Sequence, residues 1–316
     1  MEQLCYGILS TSSIAPRFIA AVRTSGTGEI VAVSSRTLQK AKDKAAQWDI
    51  PKAYGSHREL LADPAINIVY ISAVNAQHYP LAKMALEMGK HVVCEKPCTT
   101  SAAHTRELFA LAKEKDLFLM EAEKMLFLPA ILEVKKRMEA GELGEIHMAE
   151  MSHSFSAAYN TWLFDKSVGG GTLLSSGIYA VQLLLWLFGP MKSVQGFKSA
   201  LETGAEWQYV LAGEMANGIL FNIKNSTRAT LDNTARFYGT RGYVEIPEYW
   251  KARKATFYIN GQEPEEVQFP CEYELIYEAK HIYKCMQEGK RTSPVVSEDL
   301  SVAGITALEA VEASWK

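Results

Sequence analysis

Residues 4–13 read LCYGILSTSS, a short apolar run followed by four small hydroxyl residues. The apolar run is typical of a buried strand, and the hydroxyl residues suit a tight turn and a helix cap. Apolar residues then recur at helical spacing from Ile14 to Val22, and a second strand is predicted from Glu29 to Ser34. Strand, turn, helix and strand in this order predict a βαβ unit at the start of the chain.

The same alternation continues over the next ninety residues. Apolar runs at residues 68–71, 92–97 and 117–120 read as buried strands, and segments with helical periodicity separate them. Strands that alternate with helices predict a parallel, doubly wound sheet of the Rossmann type. The predicted fold class is therefore α/β, with a dinucleotide-binding Rossmann domain over residues 1–121.

The pattern changes after Glu121. Helices are predicted over Leu128–Ala140 and Leu173–Phe188, and two more over Glu272–Gln287 and Asp299–Trp315. From Ser193 to Gln268 the sequence alternates, with hairpin breaks at Asn217-Gly218 and at residues 239–242, which read GTRG. This predicts a C-terminal α+β domain over residues 122–316. Its mostly antiparallel open sheet would be covered by helices on one face.

Composition excludes several classes of function. The 316 residues carry a net charge of -3, which offers no electrostatic attraction to nucleic acid or to an anionic membrane. No apolar run approaches the roughly 20 residues that span a bilayer, and the chain starts without a basic or apolar leader. The five scattered cysteines lack metal-ligand spacing. We expect a cytoplasmic protein with reduced thiols, no metal site, and neither nucleic acid nor membrane as partner.

The first turn is a candidate phosphate site. The dinucleotide fingerprint G-x-G-x-x-G/A falls on Ser10, Ser12 and Ala15, so serine replaces both leading glycines. Serine can still offer backbone N–H groups and a hydroxyl to a phosphate at a helix N-terminus. The strand, helix and second strand around this turn make Ser10, Thr11, Ser12, Ser13 and Ile14 the predicted pyrophosphate-binding residues.

The end of the second strand bears on cofactor choice. NAD-binding sites usually place Asp or Glu there, whereas this chain has Ser34-Ser35-Arg36. An arginine beside a hydroxyl suits a 2′-phosphate, because it can form charge-assisted hydrogen bonds. Ser35 and Arg36 thus favour NADP, with NAD still open, and an exposed arginine at a helix start is the alternative.

Residues 92–97 read VVCEKP, an apolar strand that ends in a carboxylate, an ammonium and a proline. Parallel sheets bind ligands at the carboxyl ends of their strands, and proline interrupts ladder pairing. Glu95 and Lys96 should therefore lie at the mouth of the sheet, where a desolvated lysine can take part in proton transfer. A solvated turn after an edge strand is the alternative interpretation.

Several short motifs together resemble the glucose–fructose oxidoreductase/inositol dehydrogenase family over nearly the whole chain. They are GKH at 89–91 with EKP at 95–97, Asn75-x-x-His78, GGGTLL at 169–174 with Gly177 and Tyr179, and GTRG at 239–242. FLMEA at 118–122 and FLP at 127–129 are similar to the dihydrodiol dehydrogenase branch.

The resemblance implies NAD(P)-dependent hydride transfer between the nicotinamide and a secondary alcohol or carbonyl of a small sugar, polyol or diol. Lys96 corresponds to the catalytic lysine, and Tyr179 corresponds to the helix residue that faces it. The nicotinamide side would be lined by Asn75, His78 and Glu95, and Ala73 and Lys96 are also predicted to bind the cofactor. A helix-cap or core histidine is the alternative for His78. The resemblance also assigns substrate binding and oligomerisation to the C-terminal domain. Relatives commonly pair through its sheet, which implies a homodimer or homotetramer.

Three departures bear on substrate and activity. Ser175 stands where the family commonly has Asp, and Leu126 replaces an arginine of the dihydrodiol branch, in addition to the missing glycines. Serine can orient a substrate hydroxyl but cannot act as a base near neutral pH. Trp162 and Phe164, just before the glycine run, would form an apolar substrate wall or else interdomain core. A catalytically impaired nucleotide-binding sensor or structural relative is the alternative function.

Overall fold

The computed structural model describes residues 3–158 and 161–315. The strands are β1 Cys5–Leu9, β2 Glu29–Ser34, β3 Lys52–Tyr54, β4 Ile68–Ile71, β5 His91–Glu95, β6 Leu119–Ala122, β7 Ile146–Ser154, β8 Met191–Ala200, β9 Glu206–Met215, β10 Leu220–Ser226, β11 Thr234–Gly239, β12 Gly242–Pro247, β13 Lys254–Ile259 and β14 Glu265–Gln268. The α-helices are α1 Ala15–Ser25, α2 Leu38–Trp48, α3 His57–Leu61, α4 His78–Glu87, α5 Ala102–Glu114, α6 Pro129–Glu139, α7 Ile178–Phe188, α8 Leu275–Gln287 and α9 Glu298–Ser314.

The chain divides into two compact units. Unit 1 comprises Met1–Glu123 and Tyr273–Ser301, and unit 2 comprises Lys124–Glu272 and Val302–Lys316. The boundary near residue 122 lies close to the predicted one, but the sequence pattern assigned α8 to the second domain. Helix α8 contacts α1 in unit 1 because its buried residues Leu275, Ala279 and Ile282 form an apolar face.

The sheet of unit 1 has the strand order β3-β2-β1-β4-β5-β6, and all its strand pairs are parallel. Strand β4 is buried along its whole length, as expected for a parallel strand covered on both faces. The order reverses beside β1, which pairs with β2 on one side and β4 on the other. This switch point is where open α/β sheets bind ligands, and it receives the loop that follows β1. The predicted Rossmann sheet is confirmed.

The sheet of unit 2 has the order β14-β13-β12-β11-β7-β10-β9-β8. Only the β7–β10 pair is parallel among its strand pairs in the described chain. Burial alternates along β10 and β12, which shows that one face is covered and the other is open. Both predicted hairpin breaks lie between paired strands, with Gly218 at φ +88° and Gly239 opposite Gly242. The mostly antiparallel open sheet is confirmed.

Among the described residues, no helix combines the length and the apolar composition that crossing a bilayer requires.

Candidate active site

Lys96 lies directly after β5 in unit 1, in a loop with a cis peptide bond to Pro97. Its side chain is half-buried, and it interacts electrostatically with three carboxylates: Glu95, Glu123 and Glu121. Burial lowers the pKa of Lys96, and the three carboxylates oppose that shift. The lowered pKa brings proton exchange by this amine closer to neutral pH, as proton transfer to a substrate oxygen requires.

The acidic side chains near Lys96 are held in place. The hydroxyl of Tyr70, on β4, donates a hydrogen bond to Glu95. Glu121 is fully buried on β6, and its Oε1 accepts the backbone N–H of Cys98 at 2.9 Å. Neighbouring parallel strands therefore carry the groups that fix the loop on both sides of Lys96. Glu121 and Glu123 lie outside the EKP motif, and tertiary contacts bring them near Lys96.

His78 connects two loops that carry predicted cofactor-binding residues. It begins α4, is only 1% exposed, and places Nδ1 2.8 Å from the Pro97 carbonyl and Nε2 3.0 Å from the Ala73 carbonyl. Burial lowers its pKa against the influence of both carbonyls, and a neutral imidazole can donate to only one of them. The structure thus places His78 as a buried brace between the loops. Neighbouring Asn75 is buried in the same segment.

The turn after β1 has a glycine-like conformation without glycine. Ser10 adopts φ +85°, and its N–H donates to the Ser34 carbonyl at 3.2 Å. The Ser12 hydroxyl oxygen is buried and makes no hydrogen bond to any described residue. The N-terminus of α1, at Ile14, lacks a side-chain cap within the described chain. A buried hydroxyl and an uncapped helix N-terminus are the donors that a bound pyrophosphate would satisfy, so this turn fits a dinucleotide.

The positive φ at Ser10 predicts a stabilising substitution. We expect Ser10→Gly to raise the free energy of unfolding by about 1 kcal/mol, because a side chain in the left-handed region costs roughly 1–3 kcal/mol and glycine loses part of that gain through chain entropy. Urea unfolding followed by circular dichroism measures the change. The matched control is Ser13→Gly at an exposed position of the same turn, where φ is not positive and glycine should be neutral or destabilising. Equal destabilisation by both substitutions would contradict the strain at Ser10.

The end of β2 brings together three polar residues. Ser34 and Ser35 are buried, and Arg36 is exposed. The Ser34 hydroxyl lies 2.8 Å from Nδ1 of His57, at the start of α3. Burial, together with the Arg36 cation, lowers the pKa of His57, so the imidazole is neutral near pH 7 and Arg36 supplies the positive charge. His57 was not singled out by its sequence context.

Tyr179 lies in unit 2, at the second position of α7, and is 9% exposed. Nζ of Lys124 donates to its hydroxyl over 2.6 Å and lies 4.4 Å from its ring centroid. Lys124 is 6% exposed and precedes three buried apolar residues, 125–127. No motif pointed to it. The available signal was a lysine directly before an apolar run, because lysine is rarely buried unless it is paired.

The glycine run before α7 has a packing role. A Cβ at Gly170 would lie 2.5 Å from the Trp162 carbonyl, and one at Gly171, where φ is +121°, would lie 2.3 Å from Oε1 of Glu206. Glu206 is buried on β9 and accepts the Leu173 N–H at 2.7 Å, so it caps the segment that leads into α7. The glycines therefore admit a buried carboxylate that sets the start of the helix carrying Tyr179.

The predicted helix from Leu173 begins with a π-helical turn, Leu173–Gly177, which contains half-buried Ser175. Such turns widen the helix and often occur at functional sites. Upstream, Trp162 is 44% exposed whereas Phe164 is buried, so only Trp162 has an accessible ring. Leu126, in the position of the missing arginine, is completely buried.

Comparisons with known proteins agree with this fold. The profile of an "Oxidoreductase family, NAD-binding Rossmann fold" matches residues 4–123, and a "GFO/IDH/MocA C-terminal domain" matches residues 131–245. Trans-1,2-dihydrobenzene-1,2-diol dehydrogenase of Mus musculus is 32% identical over 305 residues, 93% of this chain and 91% of that protein. The Homo sapiens enzyme of the same name is 33% identical over 308 residues, with the same coverage of both chains.

Solved structures share the fold at lower identity. A levoglucosan dehydrogenase in complex with NADH and levoglucosan superposes with a TM-score of 0.89 at 20% identity, covering 99% of this chain and 97% of that chain. A 3-ketoreductase from Actinomadura kijaniata, in complex with NADP, superposes with a TM-score of 0.91 at 20% identity, covering 100% of this chain and 98% of that chain. The structural matches establish the fold, and the relatives above 30% identity establish the ancestry.

Proposed function

This chain belongs to the Gfo/Idh/MocA family of NAD(P)-binding oxidoreductases, and from that premise we propose that it interconverts a secondary alcohol and a carbonyl on a small polyol, sugar or diol. The observation that carries the proposal is Lys96: a half-buried amine with a lowered pKa, among three carboxylates, at the carboxyl end of β5. A lowered pKa makes the neutral form of this amine more available, which suits acid–base catalysis on a substrate oxygen.

The names of the relatives support the substrate class. The relatives above 30% identity are dehydrogenases of a diol, and the structural neighbours include a levoglucosan dehydrogenase and a 3-ketoreductase. Each name describes chemistry at an alcohol carbon or its carbonyl. Ser175, where the family commonly has Asp, would offer a hydroxyl rather than a carboxylate to the substrate. Exposed Trp162 would provide an apolar wall, while buried Phe164 would act through packing.

The residues of unit 1 would hold the cofactor. Ser10, Thr11, Ser12, Ser13 and Ile14 would bind the pyrophosphate through the turn and the N-terminus of α1. Ser35 and Arg36 would bind a 2′-phosphate, so NADP is the proposed cofactor and NAD the alternative. The nicotinamide would lie against the loops that carry Ala73, Asn75, Glu95 and Lys96, and buried His78 would hold these loops together. When bound, the nicotinamide supplies or accepts the hydride.

Lys96 and Tyr179 would manage the proton of the substrate oxygen. In oxidation, a neutral Lys96 accepts the proton of the hydroxyl group as alkoxide character develops. In reduction, an ammonium or a phenol donates a proton to the carbonyl oxygen and stabilises its growing negative charge. The carboxylates around Lys96 favour its protonated form, so they tune the amine rather than act on the substrate.

Cofactor titration followed by a substrate screen tests the function. We expect NADPH to quench protein fluorescence saturably, and a panel of polyols, diols, sugars and their carbonyl forms to change nicotinamide absorbance. Failure of both NADPH and NADH to bind would refute the oxidoreductase. Binding without turnover of any panel member would instead favour the nucleotide-binding sensor, for which Ser10, Ser12 and Ser175 are the motivating residues.

The open face of the unit 2 sheet is the proposed self-association surface. It exposes Phe197 to 86%, together with Val210, Leu220 and Met148. The strand register places Phe197 opposite Val210 and Leu220 opposite Met148, so the exposed apolar residues form two pairs. Exposed apolar surface of this kind marks protein interfaces. A homodimer or homotetramer formed through this face would bury it.

Sedimentation velocity tests the self-association. We expect a dimer or larger species at micromolar concentration. Leu220→Glu should weaken association by about tenfold or more, because a charge would be buried in the contact. The matched control, Leu38→Glu, changes an exposed leucine of unit 1. A monomer at every concentration, or equal weakening by both variants, would contradict the proposed interface.

The cysteines support a cytoplasmic location as part of the proposal. All five are free thiols in the structure, and burial raises the pKa of Cys94 and Cys98 next to Lys96. Protonated, buried thiols react poorly and persist in a reducing compartment.

A further inference from the structure

The Lys124–Tyr179 pair joins two elements of unit 2 that are distant in sequence. Lys124 begins the short helical turn Lys124–Phe127, and Tyr179 lies in α7. Their Nζ and Oη atoms are 2.6 Å apart, a short charge-assisted hydrogen bond. Both side chains are almost completely buried, which strengthens the electrostatic interaction between them.

The chemistry of the two groups fixes the direction of the bond. A lysine ammonium has three donors and no acceptor, so the phenol oxygen must accept from Nζ. The phenolic hydrogen is then directed to a different acceptor. The lysine also lies over the ring, with Nζ 4.4 Å from the centroid. An ammonium so placed favours the ionised form of a phenol over the neutral form.

Both partners are held rigidly. The turn of Lys124 is anchored by buried Met125, Leu126 and Phe127. On the other side, the Asn225 amide donates to the Ser176 hydroxyl at 2.8 Å, and Glu206 caps the π-helical turn just before Tyr179. The distance between Nζ and Oη is therefore set by packing rather than by two mobile side chains.

We propose that Lys124 is a positioning residue for Tyr179, which aims the phenolic hydrogen at the substrate oxygen and stabilises the charge left behind. This inference rests on the proposed function of Tyr179 as a proton donor. Proton donation breaks the Tyr179 O–H bond and forms the O–H bond of the alcohol product. The phenolate oxygen that results faces the Lys124 ammonium, and solvent returns the proton after the product leaves.

Other titratable groups lie on elements near the pair, and they are the same in every variant compared. They are Glu206 and Tyr209 on β9, and Tyr249 and Lys251 in the turn Tyr249–Lys251, which contacts the turn of Lys124. Tyr209 lies against Gly177, whose Cβ would be 2.6 Å from the Tyr209 hydroxyl. The ionisation of Tyr179 must therefore be separated from that of the other tyrosines by subtracting the titration curve of a variant that lacks Tyr179.

The test is an alkaline titration of tyrosinate absorbance in the full-length protein. Subtracting the curve of Tyr179→Phe isolates Tyr179, and the same subtraction in the Lys124→Met background removes the ammonium. We expect Tyr179 to ionise about one to three pH units higher without Lys124. Lys135→Met is the matched control, because Lys135 contacts a ring of the same unit, Trp186, at 4.8 Å. It should leave the ionisation of Tyr179 unchanged.

Kinetics provide a second readout where a substrate has been found. Lys124→Met should lower kcat by about 10- to 100-fold and move the tyrosine limb of the pH–rate profile in the same direction as the titration. Lys124→Gln keeps a donor but no charge, and covers the case in which Lys124→Met does not fold. Ionisation of Tyr179 at the parental pH in either variant would overturn the proposal. Because the titration needs no turnover, absence of activity would count against the proposed function and not against the pair.

Discussion

Lys96→Met is expected to lower kcat by at least about 1,000-fold, while the dissociation constant for NADPH changes by no more than about threefold. Methionine preserves the length and apolar stem of lysine but can neither accept nor donate the substrate proton. Without the amine, the carboxylates of Glu95, Glu121 and Glu123 no longer have a lysine pKa to raise. Stopped-flow turnover and fluorescence titration of the same samples measure both quantities.

Two further variants sharpen this result. Lys96→Arg retains a cation that does not release its proton, so it should also lose activity if Lys96 transfers the proton. Lys83→Met is the control, because Lys83 is a lysine on α4 whose ammonium pairs with Glu107 on the surface of the same unit. A kcat of Lys96→Met within about tenfold of the parent value would show that Lys96 does not take part in the mechanism.

The pH dependence follows from the sign of the shift. Because burial lowers the pKa of Lys96, its neutral form is populated at lower pH than for an exposed lysine. Alcohol oxidation needs the neutral amine, so its rate should rise with pH as Lys96 loses its proton. This rise in the pH–rate profile should lie below the usual pH range of lysine and be absent in Lys96→Met.

Arg36→Asp is expected to weaken NADPH binding by about 100-fold and to reverse the cofactor preference. The substitution removes a charge-assisted hydrogen bond to the 2′-phosphate and adds a repulsive carboxylate. The same carboxylate can accept a hydrogen bond from a ribose 2′-OH, so NADH binding should stay equal or improve.

Fluorescence titration with NADPH and NADH at two salt concentrations measures this change, since only the phosphate contact should depend strongly on salt. Arg106→Asp, on the exposed side of α5, makes the same charge change elsewhere in unit 1. An NADPH to NADH preference that is unchanged in Arg36→Asp would identify an NAD-linked enzyme. Equal effects of both arginine variants would indicate a general loss of positive charge rather than a phosphate contact.

Some features of the candidate site could be predicted from local sequence, and others could not. The turn at Ser10 was identified because a strand–turn–helix pattern requires a glycine-like residue there, and the structure shows that serine adopts that conformation at φ +85°. The glycine run at 169–171 was noted as a motif, but its reason lies in a buried carboxylate, Glu206, that follows more than thirty residues later. Periodicity carries no information about such a partner.

The sequence by itself determined the alternation of strands and helices in unit 1, the antiparallel hairpins of unit 2, and the strand end that carries Lys96. These follow from the period of apolar residues and from turn chemistry, both of which act between near neighbours. Only the tertiary structure decided that α8 belongs with unit 1, that His78 braces two loops, and that Lys124 meets Tyr179 across 55 residues. Long-range packing made these choices, because a buried polar group must find whichever partner the fold brings within hydrogen-bond distance.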